Sequence, residues 1–133
     1  MQAAILNVKL DYLDEWNNKR KESAANYNKL FANSIIKTPA EKSFAKHIYH
    51  QYTIRVPKRD ELAEHLKEKK IPFGIYYPVP LHQQNAFSHY VEKDFRLPIT
   101  EKIVNEVISL PIHTELTLEM QEYIAKTILE FYA

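Results

Sequence analysis

The chain has 133 residues, enough for one domain with a core of its own, and its 45% hydrophobic and 26% charged content is that of a globular protein. With 18 Lys+Arg against 17 Asp+Glu, the net charge of +1 leaves no electrostatic footprint for nucleic acid or an anionic membrane. The absence of cysteine excludes disulfides, thiolate metal sites and a cysteine nucleophile, and a single glycine excludes phosphate loops and dinucleotide fingerprints.

The first stretch, "MQAAILNVKLDYLDEW", has no basic region followed by a long apolar run, so it does not read as a signal peptide. No apolar segment approaches the ~20 residues that span a bilayer. A soluble, cytoplasmic domain is expected. From Ala3 to about Asn33 the pattern predicts one long helix, with Leu6, Leu10, Leu13, Ala24, Tyr27 and Phe31 on one stripe. Asn17 and Arg20 interrupt the stripe. They fit either an arginine reaching past the core to a carboxylate or carbonyl, or a bent helix spanning two packing environments. No Ser, Thr, Asp or Asn cap precedes the helical residues at the start.

After the loop "SIIKTPAEKSFAK", residues His47 to Val56 alternate with period two, which predicts a strand: Ile48, His50, Tyr52, Ile54 and Val56 on one face. His47 and His50 then fall on opposite faces and make a poor metal pair. Arg59 to Lys70 reads as an amphipathic helix with Leu62, Ala63 and Leu66 inward. "IPFGIYYP" predicts a second strand, with Phe73, Ile75 and Tyr77 on one side and Tyr76 on the other. Residues 78 to 100 form a proline-punctuated excursion with a short helix from Gln84 to Val91. "TEKIVNEV" is a further short helix, "ISL" a third strand ended by Pro111, and "TLEMQEYIAKTILEFYA" a helix capped by Thr117 with Met120, Ile124, Ile128 and Phe131 inward. No internal repeat is evident. This order predicts an α+β fold, with the third strand between the first two and antiparallel to both, and helices over one face.

The corner "GIYYPVPLH" is the most distinctive stretch. Pro72, Pro78 and Pro80 fix φ and bias their predecessors toward extended backbone, so the segment presents Tyr76, Tyr77 and His82 with little freedom left to lose. Rings with hydroxyls and an imidazole suit a polar, ring-bearing ligand better than catalysis. A strand end with a buried tyrosine and a surface histidine accounts for the same residues equally well. No spacing of His, Ser and acid makes a nucleophile motif, the lysines sit among charges on helix faces, and Asp14 and Glu15 read as solvated.

Four blocks, "QAAILNVKL", "HQYTIRVPKRDEL", "IYYPVPLHQQNAF" and "SLPIHTELT", together closely resemble the C-terminal part of nucleotide-sugar aminotransferases, the pyridoxal-phosphate enzymes of the DegT/DnrJ/StrS family. The resemblance covers essentially the whole chain, in order, and is greatest to enzymes that aminate 3-keto or 4-keto sugars carried on UDP or dTDP. It implies the small domain of a fold-type I aminotransferase over residues 1–133. That domain would be a linker helix from Ala3 to Asn33, then a mostly antiparallel three-stranded sheet and covering helices in 34–133.

The family's Schiff-base lysine and the acid facing the pyridine nitrogen lie upstream of the first residue, as does a stretch with an Asn and an Arg that reaches a neighbouring subunit's site. The resemblance therefore implies a chain inactive alone, with no catalytic, cofactor-binding or metal residues. Pyridoxal phosphate belongs to the complete enzyme and none is expected on this chain. The expected partners are a nucleotide sugar in the complete enzyme, the missing large domain and a second copy of the chain.

In the family the segment matching "IYYPVPLH" lies at the active-site cleft, commonly the partner subunit's. Carried over, Tyr76 and Tyr77 face the sugar or its diphosphate, with His82 close by. Many relatives have His where Tyr76 stands. Lys70 replaces a usual glycine, which implies a turn without positive φ or a strained one. Two readings follow: a piece of an aminotransferase, or a stand-alone binding or oligomerisation module that has lost the chemistry. An exposed apolar set of Ile5, Val8, Tyr12 and Trp16 marks the first.

Overall fold

Apolar spacing sets a helix at each end of the chain and a short sheet between them. The computed structural model describes residues 1–92 and 94–133. Its elements are α1 (Gln2–Leu10), α2 (Leu13–Leu30), β1 (Tyr52–Arg55), α3 (Arg59–Glu68), α4 (Pro98–Ile103), β2 (Val107–Leu110) and α5 (Leu118–Phe131), with 3₁₀ turns at Leu81–Gln83 and Asn85–Phe87. The α+β class is as expected. Residue 93, within the predicted 78–100 excursion, lies outside the described residues.

The sheet differs from the prediction. β1 and β2 pair antiparallel, Tyr52 opposite Leu110 and Arg55 opposite Val107. The segment expected as a strand at 71–78 meets the far edge of β2 at Gly74 alone, opposite Ser109, through N–H···O bonds of 3.0 and 2.7 Å. The three-stranded sheet is thus a two-stranded one with a single bridge added. Its order, with β2 between β1 and Gly74, follows the expectation. Pro72 and Pro78 flank the bridge, and neither has the N–H a longer ladder would need. On the outer edge of β1, Lys37 pairs with Arg55 in the same one-residue manner.

The predicted long helix is two helices, broken at Asp11–Tyr12. Its stripe holds only in the second half. Ala24, Tyr27 and Phe31 enter the core, whereas Leu6, Leu10 and Leu13 are 65%, 63% and 43% exposed. None of the residues of α1 is buried, because α1 runs beyond the layer formed by α2, α5 and the sheet. Arg20 reaches a carbonyl: its Nε donates to Ile48 O at 3.4 Å and its Nη2 to Asn17 Oδ1 at 2.5 Å.

The strand predicted from His47 begins only at Tyr52. Tyr49 has φ of 48°, in the left-handed region, which breaks the alternation. Tyr49 is buried while Ile48 and His50 are exposed, and Tyr52, Ile54 and Val56 keep the expected inward side. The His47 ring lies 4.1 Å from that of Tyr49, and its Nδ1 accepts the Tyr49 N–H at 2.9 Å.

Tyr27 stacks on Tyr52 at 4.9 Å and on Phe31 at 6.0 Å, and Ile54, Leu62, Leu66, Ile108, Ile124 and Ile128 close around them. Each such side chain contributes about 1.5–3 kcal/mol on burial. The Tyr52 hydroxyl donates to Asn28 Oδ1 at 2.6 Å, but the buried Tyr27 hydroxyl has no partner among the described residues. That orphan group costs about 1–3 kcal/mol, which the burial of its ring offsets. In α5, Thr117 caps as expected, its Oγ1 accepting the Met120 N–H at 3.3 Å. Ile124 and Ile128 are buried, but Met120 is exposed rather than inward.

Helix α3 buries Leu62, Ala63 and Leu66 as expected and ends in a Schellman motif. The Ile71 N–H donates to Leu66 O at 2.9 Å and the Lys70 N–H to Lys67 O at 3.0 Å, with Lys70 at φ of 58°. The turn is therefore the strained alternative. A left-handed lysine costs about 1–2 kcal/mol over glycine, of which glycine's looser unfolded chain gives back about half. Lys70→Gly is expected to raise unfolding stability by about 0.5–1 kcal/mol, read as a higher urea midpoint at unchanged slope. An unchanged or lower midpoint would show that the lysine is not strained.

Candidate functional site: the tyrosine corner

The corner starts at the Gly74–Ser109 bridge. Tyr76 folds back over Gly74, so that a Cβ at position 74 would lie 2.5 to 2.7 Å from the Tyr76 Cε2, Cζ and hydroxyl oxygen. The one glycine of the sequence thus serves neither a turn nor a phosphate. It leaves room for the Tyr76 ring. The Tyr76–Tyr77 peptide bond is cis. The two rings stand edge to face with centroids 5.8 Å apart, 47% and 71% exposed.

The tyrosines open onto two different surfaces. Tyr76 lines a groove of about 390 Å³ with His50, Gln51, Phe73, Ser109 and His113. Tyr77 lines another, of about 500 Å³, with Pro78, Val79, Gln84 and Asn85. Tyr76 therefore shares its groove with Phe73, although strand alternation put the two on opposite sides. Pairing ends at Gly74, and the parity of a strand does not extend beyond its ladder.

His82 is not beside the tyrosine hydroxyls in either groove. Its side chain is 7% exposed, with Nε2 2.9 Å from Glu101 Oε1. Phe95 packs edge-on against the imidazole at 5.8 Å. The same carboxylate oxygen accepts the Leu97 N–H at 3.0 Å. The His82 hydrogen bond first, and the Leu97 amide next, hold the Glu101 carboxyl below its usual range. The structure thus brings Tyr76 and Tyr77 together at the surface and turns the His82 side chain inward onto the half-buried Glu101. Sequence reasoning missed Glu101. The available signal was a Pro at the first turn of a helix with an acid three residues on, the pattern of a side chain that reaches back to a helix start.

The helix expected from Gln84 to Val91 is reduced to the turn at Asn85–Phe87; α4 covers only the first half of "TEKIVNEV", starting at Pro98 and ending at Ile103, and β2 takes in "ISL" together with Val107. Chemically the corner offers two ring faces, two phenol hydroxyls and nearby imidazoles at His50 and His113. These are groups that stack on and hydrogen-bond a polar ligand. Among the described residues no group of three or more His, Cys, Asp or Glu could hold a metal ion. Among the described residues no helix is long and apolar enough to cross a membrane.

Comparison with known proteins gives one consistent result. The sequence pattern of the DegT/DnrJ/EryC1/StrS aminotransferase family matches residues 1–129. The chain is 46% identical over 135 aligned positions to a pleiotropic regulatory protein of Geobacillus stearothermophilus, covering 99% of the chain and 36% of the relative. It is 38% identical to the dTDP-3-amino-3,6-dideoxy-alpha-D-galactopyranose transaminase of Aneurinibacillus thermoaerophilus, covering 96% of the chain and 35% of the relative. In structure it resembles S. venezuelae DesV, solved in complex with a ketimine intermediate, with a TM-score of 0.92 at 32% identity over 98% of the chain and 36% of DesV. The chain spans about a third of the length of the curated relatives it matches.

Two outcomes are expected at the corner. Gly74→Ala should leave the fold intact but push the Tyr76 ring off its seat, because the clash meets the end of a mobile side chain. Ring chemical shifts in NMR should then change for Tyr76 while core resonances stay. An unmoved Tyr76 would contradict the close approach. The second concerns pH. A carboxyl lowered on folding contributes stability that is complete above its unfolded pKa and is lost as pH falls through the folded value. Protection of the Leu97 amide should therefore be lost at a lower pH than the one at which an ordinary glutamate titrates. Loss at or above the pH of an ordinary glutamate would contradict the His82–Glu101 link.

Proposed function

The chain belongs to the DegT/DnrJ/EryC1/StrS aminotransferase family, and we propose that it works as the small domain of a nucleotide-sugar aminotransferase. In that reading its tyrosine corner faces a keto sugar carried on UDP or dTDP. The observation that carries the reading is the pair of exposed rings at Tyr76 and Tyr77 on a corner fixed to the sheet at Gly74. Sugars and nucleotide bases are recognised by ring contact and by hydrogen bonds to hydroxyls, and this corner supplies both. Tyr76 and Tyr77 contact the substrate. His82 belongs to the same substrate-binding segment and acts from beneath it.

In the complete enzyme pyridoxal phosphate supplies the amino-group transfer. That cofactor needs a lysine amine held out of water beside it. The residues of this chain do not fit it. Among the described residues every lysine is exposed except Lys21, which is half-buried on α2. No step of the reaction is assigned to this chain, whose part is to hold substrate and to complete the site from one side. Of the apolar set expected at the surface, Ile5, Val8 and Tyr12 are exposed, while Trp16 is half-buried and stacks on Tyr12. With the exposed Leu6 and Leu10 they favour a chain packed against further protein, either a large domain or a second copy, over a self-standing module.

The test uses a complete homologous enzyme carrying tyrosine at both positions. Replacing each by phenylalanine should weaken nucleotide-sugar binding about five- to tenfold, the equivalent of one neutral hydrogen bond at ~1 kcal/mol. Unchanged binding in both variants, measured by calorimetry, would remove the hydroxyls from the substrate.

A further inference from the structure

The corner is anchored to the rest of the fold at two places. At one end Gly74 is bonded to Ser109 in both directions. At the other, His82 is buried although its neighbours Leu81 and Gln83 are exposed. Between the anchors stand Pro78 and Pro80, whose rings fix φ; Pro80 is extended at φ −61° and ψ 147°. A stiff link of this kind passes a displacement of His82 on to Tyr77 instead of absorbing it in backbone rotation.

What holds His82 is one carboxylate. Glu101 Oε1 lies 2.9 Å from His82 Nε2 and 3.0 Å from the Leu97 nitrogen, so a single oxygen ties residue 82 to residue 97. Phe95 closes over the imidazole from the same segment. Glu101 itself stands on α4, whose last residues lead through Glu106 into the buried strand β2. Among the described residues Glu101 thus joins residues 82 and 97 and refers them back to the core through α4.

We propose that Glu101 is a positioning residue, whose carboxylate, acting through His82, sets where the Tyr76–Tyr77 corner stands for the nucleotide sugar. The proposal rests on the reading of that corner as a nucleotide-sugar surface. Glu101 lines neither tyrosine groove, so its influence on the ligand passes through His82 and the prolines.

The test uses the chain labelled with 3-fluorotyrosine, as wild type, Glu101→Ala and Glu101→Gln. In Glu101→Ala the 19F resonance of Tyr77 should move and exchange of the Leu97 amide should rise about tenfold, the effect of one charge-assisted hydrogen bond. Exchange of the core amides of Ile108 and Ile128 should not change. Glutamine keeps, in its carbonyl oxygen, the one acceptor that meets both Leu97 and His82, so Glu101→Gln should restore much of both signals. An unmoved Tyr77 resonance beside a freed Leu97 amide would overturn the proposal, reducing the contact to a helix cap. Core exchange rising in step with Leu97 would overturn it too, as general destabilisation. If Glu101→Ala does not fold, the same readings on Glu101→Gln decide, since a positioning role requires a partial shift of Tyr77. Titration of the wild-type chain with dTDP-glucose at tens of millimolar separates the two premises. A shift of the tyrosine resonances supports the ligand reading, and no shift overturns that reading while the variant spectra still report on the positioning.

Discussion

Strand β2 is buried at all four of its residues, and a buried strand must have its backbone groups paired. That requirement organises much of what surrounds it. One edge is taken by β1, the other by Gly74. The carbonyl of Val107 receives the Arg59 guanidinium at 3.1 Å, brought from the first turn of α3. Arg59 is almost fully buried, and its charge is met by Asp60 Oδ1 at 2.6 Å, on a carboxylate that remains in water. Between the strands the hydroxyls of Thr53 and Ser109 meet at 2.7 Å. The tyrosine corner therefore departs from a place the core dictates, since the Ser109 backbone needs Gly74 as its partner.

The sequence was most legible where a period runs through residues that are in fact buried. Leu62, Ala63 and Leu66 in α3, and Ile124 and Ile128 in α5, lie inward as their spacing requires. Ala24, Tyr27 and Phe31 do the same at the end of α2. The same spacing failed at Leu6, Leu10 and Leu13, because periodicity reports an apolar stripe and not what lies opposite it. It failed again at His47–Gln51, where the left-handed Tyr49 moves a tyrosine into the core and an isoleucine out of it. Tyrosine rarely takes that conformation, so the sequence carried no warning. Here the conformation brings the Tyr49 ring within 6.3 Å of Tyr52. At Lys70 the sequence left two turns open, and the hydrogen bonds of a Schellman motif decide between them.

The candidate site was legible in composition and not in arrangement. Prolines beside aromatic residues marked the corner, because stiffness and ring surface are both visible in single letters. That Tyr76 turns back over Gly74, and that the two rings open onto separate grooves, depends on where pairing stops. Glu101 was hidden for a different reason. An acid in a short helix, nineteen residues from the histidine it holds, looks in a sequence like any solvated carboxylate.

Burial separates the parts of this domain that can change from the parts that cannot. The core is drawn from α2, α3, α5 and the sheet, together with Tyr49 and a few loop residues such as Ile36, Ile71 and Ile112. Among the described residues between Ile75 and Thr100, only Pro80 and the side chain of His82 are buried. Substitutions at exposed positions usually change stability by within about 0.5 kcal/mol, so the surface offered to a ligand can be recast with little effect on folding. What must persist is the pair of anchors, Gly74 on the strand and His82 on Glu101. They tie the exposed tyrosine corner to the fold at both of its ends. Such a division is what the proposed substrate-holding role requires, because the scaffold need only hold the corner still.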